Sequence, residues 1–339
     1  MPTTRSAYLK APWKIELRQV ALPDQPPEAH ILLAIDACGI CGTDLTSAKS
    51  AQEWTPVGHE VAGTIAALGP ACPAHLRVGM QVVLESSSFC GHCALCRNGH
   101  SDHCNQAPNF WTQAAYGIGE FMIAPACSVV PYEGLDPAVA CQAEPVGVAL
   151  DLVKTADIRL GDRVCIVGPG PIGLCAAVLA LRSGALRVLT IGCLRHQERL
   201  AFAASLGSEI LATDQPLNEV AALQQQFDHV LVTAPTSTIS PALNLLAVGG
   251  RVSFLGIGTH DGNISFNAHD FHFRKLQLRA SHASPALYLP LALDLLKKGI
   301  IPGARLAPRA FTLDQVPEAF AHCADQASGA LKVVIRTRP

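Results

Sequence analysis

The stretch Gly39-Ile40-Cys41-Gly42-Thr43-Asp44 is answered, one short loop later, by Gly58-His59-Glu60. The two motifs bring a thiol, an imidazole and two carboxylates close together in the chain. A catalytic zinc ion takes three protein ligands and keeps a position open for water or substrate. Cys41, His59 and Glu60 can supply those three, and one thiolate with one carboxylate balances a dication. Such a centre polarises an alcohol oxygen. Asp44 is placed to accept the other ring N–H of His59 and fix its tautomer. Thr43 follows Cys41 closely enough for its hydroxyl to reach an oxygen bound there and pass on a proton. Read singly, Cys41 is equally a small buried residue and His59 a hydrogen-bonded loop residue. The rest of the chain decides between the readings.

A second cluster is the run from Cys90 to Cys104, in which Cys90, Cys93, Cys96 and Cys104 converge. Two-residue gaps let successive thiolates meet on one ion, and four thiolates make a closed, structural zinc site. An iron–sulfur run of the bacterial type places its fourth cysteine three residues on, before proline; here the last gap is longer and Asn105 follows. This lobe, about residues 88–106, is expected to clamp a loop. Its histidines His92, His100 and His103 read as solvated.

A third signal is Gly168-Pro169-Gly170-Pro171-Ile172-Gly173. It follows the apolar strand Asp162 to Val167 and opens the helical run Leu174 to Ser183, before a second strand at Val188 to Ile191. That is the context a dinucleotide fingerprint requires. Gly168 makes the turn, Gly170 lets the backbone approach a pyrophosphate at the helix N-terminus, and Gly173 allows close helix–strand packing. An acid that binds the ribose 2′-hydroxyl is expected at the end of the second strand. Gly192-Cys193-Leu194-Arg195 stands there instead. Arg195, with Arg199 beyond it, suits a 2′-phosphate and NADP. With Glu198 or the backbone serving the ribose, NAD fits equally.

The elements that position these residues follow from pattern. Ile31–Ile35, Val61–Gly69 and Gly79–Leu84 read as short strands of a small β domain whose loops carry the metal ligands. Glu144 precedes Pro145 at a helix start, where it either caps the helix or points back at the metal. Asp228–Thr233 and Gly249-Gly250 through Leu255-Gly256 read as later parallel strands, with Ile239–Leu246 helical between them. Alternating strands and helices mean a doubly wound sheet. Helices at Leu287–Lys298 and Leu313–Asp325 then lead to a last strand, Leu331–Ile335. Trp54, Phe110, Trp111 and His282 are candidates to line a substrate pocket.

A chain of 339 residues suggests about two domains, and 49% apolar residues is ample for their cores. A formal net charge of -2 argues against a nucleic-acid or membrane surface. No apolar run is long enough to span a bilayer, and Met1-Pro2-Thr3-Thr4-Arg5 opens no signal peptide, so a cytoplasmic protein is expected. Thirteen cysteines, an odd number, then read as ligands and core fillers in a reducing compartment.

In this order of motifs, from Gly39–Asp44 to Lys332-Val333-Val334, the chain resembles the zinc-containing medium-chain alcohol/polyol dehydrogenases over nearly its whole length. The resemblance implies an α/β fold. A GroES-like β-rich catalytic domain is built from both chain ends (1–145 and 280–339), and a Rossmann domain (146–279) lies between them. Glu60 beside His59, and Glu144 where alcohol dehydrogenases of the classical type carry cysteine, look like the sorbitol and threonine dehydrogenase branch. There, positions matching Cys41, His59 and Glu60 hold the catalytic zinc, and the one matching Glu144 binds directly or through water. Threonine dehydrogenases carry a histidine soon after the first motif; Leu45-Thr46-Ser47 stands here. Polyols or sugar-type secondary alcohols are therefore the favoured substrates. Simple alcohols or aldehydes, threonine, and a non-catalytic dinucleotide-binding role are the alternatives. The resemblance further implies one catalytic and one structural zinc, NAD or NADP, no nucleic-acid partner and a dimer or tetramer.

Overall fold

The computed structural model describes residues 1–255, 262–325 and 328–338. It resolves into two compact units, Met1–Gly147 with Ser284–Pro339, and Val148–Ala283. The first carries strands β1 (Thr3–Lys10), β2 (Lys14–Ala21), β3 (His30–Gly39), β4 (Thr55–Pro56), β5 (Glu60–Leu68), β6 (Gln81–Leu84), β7 (Phe121–Pro125) and β8 (Val129–Pro131). The second carries β9 (Arg163–Val167), β10 (Arg187–Gly192), β11 (Glu209–Ala212), β12 (Phe227–Val232), β13 (Leu246–Phe254) and β14 (Gln277–Ala280). The chain then returns to the first unit with β15 (Ala310–Thr312) and β16 (Val334–Arg336).

In the first unit β2-β1-β4 form one small sheet and β15-β16-β3-β5-β6-β8 a larger one, with β7 also paired to β3. β3 is the hub. Its inward residues Ile31, Leu33 and Ile35 are fully buried among Ile65, Met122 and Ile335. Its last residues pair on both sides, Gly39 with Glu60 of β5 and with Val334 of β16. Three chain segments therefore meet at one sheet corner, where the metal-ligand motifs begin.

The second unit is a six-stranded parallel sheet in the order β11-β10-β9-β12-β13-β14. β9 and β12 are apolar almost throughout, as strands covered on both faces must be. Helix Pro171–Arg182 follows the glycine loop with Pro171 in its first turn, where a missing N–H costs nothing. Among the described residues no helix is long and apolar enough to cross a membrane.

Several expected boundaries shift. Ile239–Leu246 is not one helix: Ile239–Ala242 is helical, Leu243–Leu245 is a 3-10 turn, and Leu246 already opens β13 by pairing with Phe227. The last helix is Val316–Ala324 rather than Leu313–Asp325, with Pro317 near its start. The closing strand starts at Val334 rather than Leu331, because Lys332 is turned into the sheet corner. β1 and β2 have no counterpart among the expected strands, since β2 is half exposed and its alternation is polar.

Candidate metal centre and nucleotide site

Cys41 lies just past β3 and serves as N-cap of helix Gly42–Ser50, while His59 immediately precedes β5 and Glu60 opens it. The ligand atoms of Cys41, His59 and Glu60 lie within 4.8 Å of one another. His59 and Glu60 are buried and Cys41 is half-buried, with the exposed Thr43 two residues further along the helix. Asp44 does not take the ring N–H expected of it. Its Oδ1 lies 3.8 Å from His59 Nδ1, while its Oδ2 accepts the backbone N–H of Cys41 at 2.9 Å. Capping the helix end is the nearer use of that carboxylate, and its influence on His59 is through charge.

Lys332 is the partner that the sequence did not disclose. Its ammonium lies against the Glu60 carboxylate, donating to Oε1, and donates also to the carbonyl of Ile40 at 2.9 Å. Both side chains are almost fully buried. Glu60 Oε2 also lies against that ammonium, although without hydrogen-bond geometry. A Cβ on Gly39 would fall 1.9 Å from that oxygen, so only glycine leaves room for the carboxylate at this corner.

Charge in the pocket is unbalanced. Burial works against the Lys332 ammonium, but Glu60, the Cys41 sulfur and Glu144 together outweigh it and raise its pKa. Burial pulls the His59 imidazolium down, but Cys41, Asp44 and Glu144 outweigh it and raise its pKa well above the ordinary range. Burial pushes the Glu144 carboxyl up to about 7; Glu60 and Asp44 add to this, while His59 and Lys332 oppose it. The surplus of negative charge suits a dication. Sulfur, nitrogen and oxygen donors gathered this way fit zinc. Glu144 stands outside the three-residue cluster, half-buried near the start of helix Ala143–Ala156.

The sequence-predicted pocket residues separate. The Trp111 ring is 5.6 Å from that of His59 and 42% exposed, so it walls the candidate metal centre. Phe110 is fully buried behind it. Trp54 packs under the Arg18 guanidinium at 4.1 Å. His282 is exposed and belongs to the other unit.

Cys90, Cys93, Cys96 and Cys104 also bring their sulfurs within 4.8 Å of one another. Backbone N–H groups of Cys90, Cys93 and Cys96 point at the sulfurs of Cys104, Cys90 and Cys93, at 3.4, 3.3 and 3.5 Å. The last of these, ahead of opposing burial, lowers the Cys93 thiol to about 7. Such donors favour thiolates, as a four-sulfur zinc site needs. Among the described residues the thirteen cysteines form no disulfide.

In the second unit, Gly168 takes φ +108°, and a Cβ on Gly173 would lie 2.0 Å from the carbonyl oxygen of Gly168. Gly170 caps helix Pro171–Arg182, with Ile172 half-buried in its first turn. Thr233, after β12, donates its hydroxyl to the Gly168 carbonyl at 2.9 Å and so ties the loop to the neighbouring strand. Gly192 ends β10, where a Cβ would come within 2.8 Å of Pro169. That contact explains why no acid occupies the position. Arg195 is exposed and Arg199 half-buried on the turn and helix that follow. Asp214, which the fingerprint does not predict, accepts the N–H of Leu194 at 3.1 Å. Leu255 follows β13, its N–H bonded to Val232; Gly256 lies outside the described residues. Gly168, Gly192, Thr233 and Leu255 all sit at the carboxyl ends of parallel strands, where such sheets bind ligands.

Comparison with known proteins accords with this geometry. Residues 27–134 match the alcohol dehydrogenase GroES-like domain, and residues 171–298 match the zinc-binding dehydrogenase domain. A probable alcohol dehydrogenase of Mycobacterium tuberculosis is 31% identical, over 96% of this chain and 95% of its own. The chain belongs to the zinc-containing medium-chain alcohol/polyol dehydrogenases. The L-galactonate-5-dehydrogenase of Escherichia coli is 28% identical over 84% of this chain and 85% of its own. Among solved structures, an alcohol dehydrogenase from Thermus sp. ATN1 superposes with a TM-score of 0.86, at 26% identity, over 98% of this chain and 100% of that one. A zinc-binding dehydrogenase from Sinorhizobium meliloti bound to NADP gives 0.86 at 25% identity, over 99% and 100%. Membership of this dehydrogenase family makes the protein an oxidoreductase of the CH–OH class, with zinc and a nicotinamide dinucleotide as its expected cofactors.

Proposed function

We propose that this dehydrogenase oxidises a secondary alcohol of a polyol or sugar-type substrate to a ketone, reversibly, with Cys41, His59 and Glu60 as its catalytic zinc ligands. The gathering of those three donors within 4.8 Å of one another carries the reading. Relatives named L-galactonate-5-dehydrogenase and D-altritol 5-dehydrogenase, at 28% identity, support a polyhydroxylated substrate.

Bound zinc would supply Lewis acidity to the alcohol oxygen, and the nicotinamide would take the hydride. The chain's own groups prepare for this. Lys332 lies against the Glu60 carboxylate and fixes it at the sheet corner beside Cys41 and His59. Trp111 shields the face of His59. The exposed Thr43 hydroxyl moves the alcohol proton toward solvent. Glu144 adds a further carboxylate to the charge that acts on His59 and Lys332. The loop from Gly168 to Gly173 receives the pyrophosphate.

For the cofactor, the steric exclusion of any side chain at Gly192 and the exposed Arg195 support NADP. Asp214, anchored to the same turn, supports NAD as the second reading.

The test is growth of reduced-cofactor absorbance on a panel of polyols, sugar acids, threonine and simple alcohols, with NAD and NADP separately and a chelator control. Chelator-sensitive turnover of a polyol is expected. Turnover of simple primary alcohols alone, or chelator-resistant turnover, overturns the proposal.

A further inference from the structure

The cysteine lobe carries a second group of metal-ligating side chains that four-sulfur coordination does not use. His100, Asp102 and His103 are all exposed, yet one ligand atom from each lies within 4.8 Å of the other two. His103 Nε2 is 3.4 Å from Asp102 Oδ2. In a tetrahedral site with zinc–ligand bonds of about 2.0–2.1 Å, neighbouring ligand atoms stand roughly 3.4 Å apart. That pair is already at the spacing two ligands of one ion require. The rings of His100 and His103 lie nearly parallel, 14° apart, with centroids separated by 6.0 Å. Closing His100 onto the pair takes only rotation of an exposed side chain.

The backbone beneath is fixed. His100 donates its N–H to Leu95, His103 to His100, and Cys104 to Ser101, at 2.9, 3.1 and 3.1 Å. The turn Ser101–His103 thus hangs between two residues of the four-sulfur cluster, Cys96 and Cys104. A rigid support lowers the entropy lost when side chains converge on an ion.

The chain contains its own control. His269 and His272 have the same spacing and flank Asp270. There Asp270 is committed to Arg274 at 2.9 Å, both rings pack on Phe273, and the three do not gather.

We propose that His100, Asp102 and His103 form a third, open site for a borderline divalent ion such as zinc, distinct from the catalytic and four-sulfur centres. Two imidazoles and one carboxylate suit zinc, nickel or copper rather than magnesium or calcium. Three protein ligands leave a position for water. Exposure makes the ion exchangeable, so occupancy follows the surrounding zinc concentration.

The experiment dialyses the holoenzyme, its tightly held zinc intact, against micromolar zinc chloride and reads metal content by elemental analysis. Side-chain imidazole NMR is recorded in parallel. One further zinc per chain is expected, with shifts in the His100 and His103 resonances. That equivalent should be lost in His100→Ala/His103→Ala and kept in His269→Ala/His272→Ala. If the first variant also loses its four-sulfur zinc, Asp102→Asn, which leaves the turn intact, takes its place and should weaken binding several-fold. No extra equivalent, equal loss in the His269/His272 control, or shifts confined to other histidines overturns the proposal.

Discussion

At the scale of single residues, the candidate metal centre is organised around a buried ion pair as much as around its three donors. Removing one partner of such a pair leaves an uncompensated charge and costs about 3–5 kcal/mol. Lys332→Met should therefore lower stability to urea by that order. Lys332→Met combined with Glu60→Gln, which removes both charges, should recover much of the loss. Equal losses in the two variants would show that the pair is not coupled. Cys41→Ser should abolish turnover while leaving cofactor binding, read by fluorescence titration, unchanged; retained turnover would sink the zinc assignment. Glu85 gives a pH signature. Burial raises its carboxyl to about 7 from 4.5, against a weaker opposing hydrogen bond from Ser88. The folded state then binds the proton more tightly than the unfolded one, so stability falls as pH rises through that window. The shift corresponds to about 3 kcal/mol. Glu85→Gln should match the parent at pH 4 and exceed it by up to that amount at pH 8 in urea unfolding; equal stability at both pH values would refute this.

At the scale of elements, the glycine loop and the cysteine lobe are legible in the sequence because each is local. Their ligands and turn residues lie within one short segment, and spacing alone forces them together. A Cβ at Gly173 would strike the Gly168 carbonyl. Overpacking of this kind costs about 1–3 kcal/mol. Gly173→Ala should weaken cofactor binding roughly tenfold or more, since tenfold is about 1.4 kcal/mol. An unchanged Kd by fluorescence titration would mean that the loop relaxes freely. The turn after β10 was less legible. The absence of an acid at Gly192 was visible, but its cause, the Pro169 ring, and the approach of Asp214 from beyond β11 belong to the packed structure.

At the scale of the whole molecule, the first unit is discontinuous. β15 and β16 come from the far end of the chain, and β16 completes the pairing of β3. A chain ending at Ala283 lacks both strands and Lys332. By hydrogen exchange, amides of β9 to β14 should stay protected in it while those of β3 and β5 lose protection. Persistent protection of β3 and β5 would show that the C-terminal strands are dispensable.

What the sequence determined by itself is the chemistry available: donor types, their spacing, the four-sulfur lobe and the strand–glycine loop–helix unit. These rest on short-range geometry and residue identity, which a linear reading carries. What only the tertiary structure decided is which distant groups share one low-dielectric corner. Lys332 meets Glu60 across 272 residues because β16 and β5 flank the same end of β3. Asp44 turns from His59 to the helix end because a backbone N–H lies closer there. Trp111 reaches the metal centre while Phe110, its neighbour in sequence, is sealed in the core. Charge interactions and packing depend on separation in space, and chain order does not encode that separation until the sheet has formed.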